Sequence, residues 1–222
     1  MSTAPRTNSV AESPEPGPAF RLLTFGAPGL SRTHPDGRAE RVLGNGKVLA
    51  LLIYLAAVRG RPHPREQLAD LLWGDESPEN ARGSLRQALY VLRGLVGEDR
   101  LEADREQVRF EPRGVAADFV EFETALRDGQ FEAALALYAG PFCARLDVGG
   151  AEAAARWLAV ERTRLEQSYV DAVSRCLEER LKRGALADAA RIARALVAAA
   201  PEHSDAIAAA YDALVAAGEM HE

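Results

Sequence analysis

The chain has 222 residues, of which 47% are hydrophobic and 27% charged, so it can form one large or two modest globular domains. Its net charge of −6 and its pI near 5.4 argue against a protein that coats nucleic acid without sequence preference. The charge is uneven, because residues 20–115 carry a balance of +2 and residues 116–222 a balance of −7. The first part is therefore the better candidate for meeting DNA, and the second for meeting protein.

The cysteines and the apolar segments indicate the compartment. Cys143 and Cys176 lie in segments rich in alanine and leucine that we predict to be helical, and neither belongs to a CxxC or Cys/His cluster. This predicts small buried side chains in a reducing cytosol. The longest apolar run, residues 48–58, is about half a membrane span, and residues 1–19 hold no apolar signal segment. We expect a cytoplasmic protein with no membrane partner, metal or cofactor.

The chain is predicted to begin with a leader, two strands and a buried helix. Residues 1–19 consist mainly of Pro, Ser, Ala and Glu, which predicts disorder. Residues 20–23 alternate with period two, which predicts a strand, and Gly and Pro turn signals follow. A second short strand is expected at residues 39–43. After a Gly-Asn-Gly break, residues 47–60 are apolar nearly all round, which predicts a buried helix.

Residues 64–96 are predicted to form two amphipathic helices joined by a short polar turn. Leucines in the first helix share one face, and in the turn Ser77 precedes Pro78 as an N-cap precedes a first-turn proline. In the second helix, the apolar residues from Leu85 to Val96 form one stripe. This layout is typical of a helix-turn-helix, whose second helix enters the major groove.

Polar residues on the second helix are candidates for contacting DNA. Arg82, Arg86 and Arg93 line one flank of the apolar stripe, and Gln87 and Tyr90 lie farther round on the exposed arc. The planar fork of arginine suits guanine or phosphate. The same row would also be expected of an ordinary solvated helix face.

A short hairpin is predicted after this helix. Residues 101–103 can pair with residues 108–110 around a turn at residues 104–107. In a winged helix this hairpin would be the wing, with Arg105 at its tip and Arg109 on its return strand. Both arginines are equally consistent with strand-edge charge.

From Asp118 onward the pattern predicts helices only. A helical hairpin is broken at Gly129, which is followed at five and nine residues by Ala134 and Tyr138, and a longer pair of helices is expected in residues 151–183.

The later helices carry a repeat signal. Gly184 and Gly218 are 34 residues apart, Pro201 falls between them, and Ala189 stands five residues past Gly184. A helix-turn-helix unit of 34 residues is the tetratricopeptide period. Because the chain stops where another helix would begin, we expect it to be the front part of a longer protein.

Three segments in combination carry a family resemblance: LADLLW at 68–73, ARGSLRQAL at 81–89 and LALYAGPF at 135–142. With them, the chain from about Phe20 to its end resembles the SARP-type bacterial transcription activators, which join an OmpR-like DNA-binding domain to a bacterial transcriptional activator domain. The resemblance implies a protein that binds repeated promoter sites, as a homodimer on double-stranded DNA, and contacts RNA polymerase.

The resemblance also implies roles for single residues. It places Arg82, Arg86 and Gln87 on the recognition helix, Lys47 near phosphate and Arg105 in the wing. Asn80 and Ser84 become candidates for phosphate contact at the front of the recognition helix. The candidate DNA-binding residues are Lys47, Asn80, Arg82, Ser84, Arg86, Gln87, Tyr90, Arg93, Arg105 and Arg109.

The sequence departs from the family pattern at two positions. Val91 and Gly94 stand where the family pattern has a cationic residue. Each phosphate contact that is missing makes the slope of log affinity against log salt concentration less steep by roughly 0.9. Gly83 and Gly94 each cost the helix about 1 kcal/mol relative to alanine.

Together these features predict an α+β winged helix-turn-helix domain at residues 20–115, followed by an all-α tetratricopeptide-like helical repeat domain at residues 116–222. The predicted function is a sequence-specific transcriptional regulator, and an activator in particular. The alternative is an interaction scaffold, or a regulatory module of a larger signalling ATPase or cyclase, in which DNA binding has weakened or been lost. An enzyme is not expected, because no P-loop, GxSxG or HExxH motif is present.

Overall fold

The computed structural model describes residues 19–199, 204–216 and 218. Its first half mixes strands and helices, and its second half is helical. The elements of the first half are β1 (Phe20–Leu23), β2 (Gly29–Thr33), β3 (Ala39–Leu43), α1 (Lys47–Ala57), β4 (His63–Pro64), α2 (Arg65–Trp73), α3 (Pro78–Val96), β5 (Leu101–Ala103), β6 (Gln107–Phe110) and β7 (Val115–Ala117). Those of the second half are α4 (Asp118–Arg127), α5 (Phe131–Leu137), α6 (Glu152–Lys182), α7 (Leu186–Ala199) and α8 (Ser204–Ala216).

The larger sheet has the strand order β3-β2-β1-β7. Along β1 the side chains alternate, with Phe20 and Leu22 buried, so the predicted period-two strand is confirmed, as is β3. β2 was not predicted, because the Gly and Pro turn signals lead directly into it. β7 was also missed; it pairs in parallel with β1, with Phe20 opposite Val115.

The three helices of the first half follow their apolar patterns. Seven of the 11 residues of α1 are buried, which confirms the predicted buried helix. At the start of α3 the Ser77 hydroxyl accepts a hydrogen bond from the Asn80 N–H, and Pro78 occupies the first turn. The predicted apolar stripe of α3 is buried from Leu85 to Val96.

The predicted hairpin has the expected register, with Leu101 opposite Phe110 and Ala103 opposite Val108. The turn is closed by the Asp104 carboxylate, which accepts from two backbone N–H groups and whose pKa is thereby lowered. β4 adds a third strand beside β6. His63, which stands between two prolines in the sequence, lies half-buried in β4.

The helical half departs from prediction in two places. The helical hairpin broken at Gly129 is present as α4 and α5, with Gly129 at φ +72°. The expected pair of helices at residues 151–183 is wrong: α6 is one continuous helix of 31 residues, since neither glycine nor proline interrupts it. Cys143 is buried as predicted but lies in the connection between α5 and α6, not in a helix.

The repeat region keeps its small residues at the contacts. α6 packs against α7 and α7 against α8, with Ala189 wholly buried. Gly184 and Gly218 both have a left-handed backbone, as residues that follow a helix often do. Pro201 lies outside the described residues.

One hydrophobic core runs through both halves. At their junction Asp118, only 3% exposed, accepts hydrogen bonds from the Thr24 N–H and hydroxyl and from the Phe25 and Phe119 N–H groups. Burial raises the pKa of this carboxyl, and the four donors oppose that shift. Aromatic rings surround the junction, including Phe25, whose ring lies 4.7 Å from that of Tyr138.

Replacing Asp118 by alanine should lower the free energy of unfolding by about 2–4 kcal/mol. The change leaves buried N–H groups of Thr24, Phe25 and Phe119 without an acceptor, and each such loss is costly. Urea denaturation followed by circular dichroism measures the effect. Asp128→Ala, at an exposed position after α4, is the matched control and should stay within about 0.5 kcal/mol of the parent. Equal, small effects of both substitutions would contradict the role given to Asp118.

Candidate nucleic-acid interface

The buried apolar stripe of α3 determines which of its residues face solvent. Gly83, Gln87, Tyr90 and Gly94 lie opposite that stripe, and Tyr90 is 74% exposed. A Cβ atom added at Gly94 would meet nothing within 4 Å, and one at Gly83 would meet only the Arg86 guanidinium at 4.0 Å. The face is therefore smooth except for two large polar side chains, and the helix backbone is open to close approach.

Arg82 and Arg86 occupy one flank of this face, and both are exposed. Within the part of the chain that the structure describes, neither guanidinium has a hydrogen bond or an ion pair, so both are available to an external anion. Arg93, about two turns beyond Arg86, is instead bonded within the protein. Its Nε donates to the Leu101 carbonyl at 3.1 Å and its Nη2 to the Ala103 carbonyl at 3.0 Å, so it fastens β5 to α3.

Arg65, which the sequence reasoning missed, joins this group. It begins α2, and its Nη1 donates to the Asp104 carbonyl at 3.2 Å. Burial and the positive charges of Arg93 and Arg86 lower the pKa of Arg65. An arginine at a helix N-terminus interacts unfavourably with the helix dipole. This unusual position was the feature of the sequence that could have indicated a functional role for Arg65.

The N-terminal end of α3 is acidic. Lys47, at the start of α1, lies with its Nζ 3.5 Å from Asp75 in the turn before α3. The Ser84 hydroxyl donates to the Glu76 carboxylate at 3.1 Å. Asn80 is exposed and beside Glu79. Lys47 and Ser84 are thus bonded to carboxylates of this turn.

The two hairpin arginines also differ. Arg105 is exposed at the tip between Asp104 and Glu106. Arg109 donates to the Gly60 carbonyl at 2.9 Å and forms an ion pair with Glu111, which holds it against the α1–β4 connection. Of the two, Arg105 is the one that projects from the hairpin.

A cleft of about 810 Å³ separates the C-terminal half of α3 from the hairpin. Arg65, Arg86 and Arg93 line it together with apolar residues of α3. In the described residues no cluster of His, Cys, Asp or Glu could hold a metal ion, and none of the described helices is long and apolar enough to cross a membrane.

Two comparisons with known proteins gave matches, one to a family model and one to a solved structure. Residues 116–222 match the family model of the bacterial transcriptional activator domain. The structure of Mycobacterium tuberculosis EmbR in complex with a low-affinity phosphopeptide is similar, with a TM-score of 0.66 and 21% sequence identity. The match covers 90% of this chain and 56% of the EmbR chain, and at that identity it establishes the fold alone. No curated protein matches the chain.

Arg93→Ala should loosen the hairpin rather than only change surface charge. Losing two hydrogen bonds to β5 should cost about 1–2 kcal/mol of unfolding free energy and speed hydrogen exchange at residues 101–110. Urea denaturation and exchange mass spectrometry measure the two effects. Arg82→Ala, which removes an arginine of the same helix that has no partner among the described residues, should leave both within error. Indistinguishable exchange in the two variants would contradict this role of Arg93.

Proposed function

We propose that this chain is a SARP-type transcription regulator that binds specific double-stranded DNA through residues 20–115. The match of residues 116–222 to the bacterial transcriptional activator domain and the fold shared with EmbR support this proposal. The regulator then acts as an activator in the cytoplasm, bound to promoter repeats as a homodimer and in contact with RNA polymerase.

The first half supports a winged helix-turn-helix. α2, the polar turn and α3 have the order and capping of that motif, and the β5–β6 hairpin stands beside α3 as a wing would. In this arrangement α3 is the recognition helix, and its face from Gly83 to Gly94 enters the major groove.

The unpartnered arginines of α3 carry the proposal. Because Arg82 and Arg86 are exposed, flank a smooth helix face and bind no acid within the described residues, they can contact guanine edges or phosphates without breaking an existing interaction. Gln87 and Tyr90 lie beside them, and glutamine can form paired hydrogen bonds with adenine. Arg105 at the hairpin tip would reach the adjacent backbone or minor groove.

The helical half supports the contacts with protein. Its antiparallel helices, left-handed glycines 34 residues apart and buried Ala189 are typical of tetratricopeptide-like repeats, which bind other proteins. Its charge balance of −7 is unfavourable for DNA.

Selection of genomic fragments by the whole chain tests the proposal. At about 150 mM salt purely electrostatic binding is suppressed, so recovered fragments should share a short motif repeated at roughly one-turn spacing. Fragments without a common motif would count against sequence-specific binding.

Arg86→Ala should weaken binding to the recovered site by about 1–3 kcal/mol, or roughly fivefold to 150-fold, because a bidentate base contact would be lost. Fluorescence anisotropy with the site and with a scrambled duplex measures the specific part. Circular dichroism should show an unchanged fold, since the Arg86 side chain has no hydrogen bond or ion pair with any residue that the structure describes. Arg127→Ala, an exposed arginine of α4, is the control and should leave affinity unchanged. Equal affinities of the Arg86 variant and the parent would refute the recognition role.

A second candidate is a scaffold whose winged helix no longer binds DNA. The acidic residues around the start of α3 favour it, because Asp75, Glu76 and Glu79 lie where phosphates would approach the front of the recognition helix. The two candidates separate in the selection experiment, since a scaffold would retain no fragment above background even at about 50 mM salt.

A further inference from the structure

The cleft between α3 and the hairpin has the dimensions of a ligand site. Its volume of about 810 Å³ falls within the range of roughly 300–1,000 Å³ that is usual for small-molecule pockets. A single phosphate group would fill only a small part of it. A DNA phosphate alone therefore does not account for the size of the cleft.

The cleft has a cationic part. Arg65, Arg86 and Arg93 line it, and Glu98 is the one acidic residue among the described lining residues. Two nitrogens of Arg93 and one of Arg65 are used by hairpin carbonyls, whereas Arg86 is unpartnered among the described residues. The guanidiniums are close enough that Arg93 and Arg86 help to lower the pKa of Arg65. A carboxylate, sulfonate or phosphate placed among them would relieve that repulsion.

The cleft also has an apolar part. Leu89, Val91 and Leu95 of α3 and Ala103 of β5 contribute it. Gly94 also lines the cleft, and the absence of any atom within 4 Å of a Cβ added there shows that the space beside it is open. Phosphate and ribose gain nothing from an apolar wall, but an alkyl chain or aromatic ring does.

We propose that this cleft binds an organic anion with an apolar body, of the class of medium-chain fatty or aryl carboxylates, and that the anionic group is held by Arg65 and Arg86. The anion and DNA compete, because Arg86 belongs to both sites. Binding of the anion is independent of the proposed function, whereas its effect on DNA rests on that function.

Dodecanoate binding to the whole chain, measured by isothermal titration calorimetry, tests the site directly. The parent should bind one dodecanoate, and uncharged 1-dodecanol should bind at least tenfold more weakly. Arg86→Gln should weaken dodecanoate binding at least tenfold. Arg82→Gln makes the same charge change on the same helix outside the cleft, and should leave dodecanoate affinity within twofold of the parent.

Two glycine variants provide a matched steric test. Gly94→Leu should fill the cleft and abolish dodecanoate binding, and the fold should tolerate it because nothing obstructs the new side chain and leucine favours helix. Gly83→Leu adds the same side chain to the same helix outside the cleft and should leave dodecanoate affinity within twofold. Circular dichroism verifies both folds. Equal binding by all four variants, or no dodecanoate binding to the parent, would overturn the proposal.

Competition is measured separately. Saturating dodecanoate should release the parent from whatever duplex it retains at low salt, whereas the same concentration of uncharged 1-dodecanol should not. If dodecanoate binds in the cleft and no duplex is retained, the ligand site stands and the DNA-binding function fails. If a specific duplex is retained and dodecanoate does not bind, the reverse holds.

Discussion

The architecture depends on the hydrogen bonds that the buried carboxylate of Asp118 accepts. It lies at the point where β7 ends and α4 begins, and it collects the N–H groups of Thr24 and Phe25 from the other half of the chain. Because β7 also pairs with β1, the first strand of the fold is held from two directions by residues more than 90 positions later. The mixed half and the helical half are therefore one packed body with a shared core.

The solvent face of α3 is largely unobstructed, and the glycines that leave it open lower the stability of the helix. Gly83 and Gly94 each lower the helix propensity of α3 by about 1 kcal/mol relative to alanine, yet they leave its solvent face open to another surface. The packing of the buried stripe and the bonds from Arg93 to β5 compensate by holding the helix in place. Arginines that fasten the hairpin and arginines that remain available thus stand on the same helix, and only their partners distinguish them.

The sequence predicted the features that depend on local pattern. The alternation of apolar and polar residues predicted β1, and the apolar stripe predicted α3. The spacing of Leu101 and Phe110 predicted the register of the hairpin. The misses were features decided by partners far along the chain. β7 has three residues and exists because β1 lies beside it, and Arg65 belongs to the cleft only because the hairpin folds back onto α2. The single long α6 is a different error, since the absence of glycine and proline within it was visible from the start.

The parallel pairing of β7 with β1 bears on how the chain can be divided. A fragment that ended at residue 114 would contain every helix and hairpin of the mixed half, but β1 would become the outermost strand of its sheet. Its unpaired N–H and C=O groups, beside the newly uncovered Phe20, would form an open edge of the kind that recruits strands from other molecules. β7 thus protects the edge of this sheet, and the excised half would be prone to self-association for a reason unrelated to the solvent face of α3.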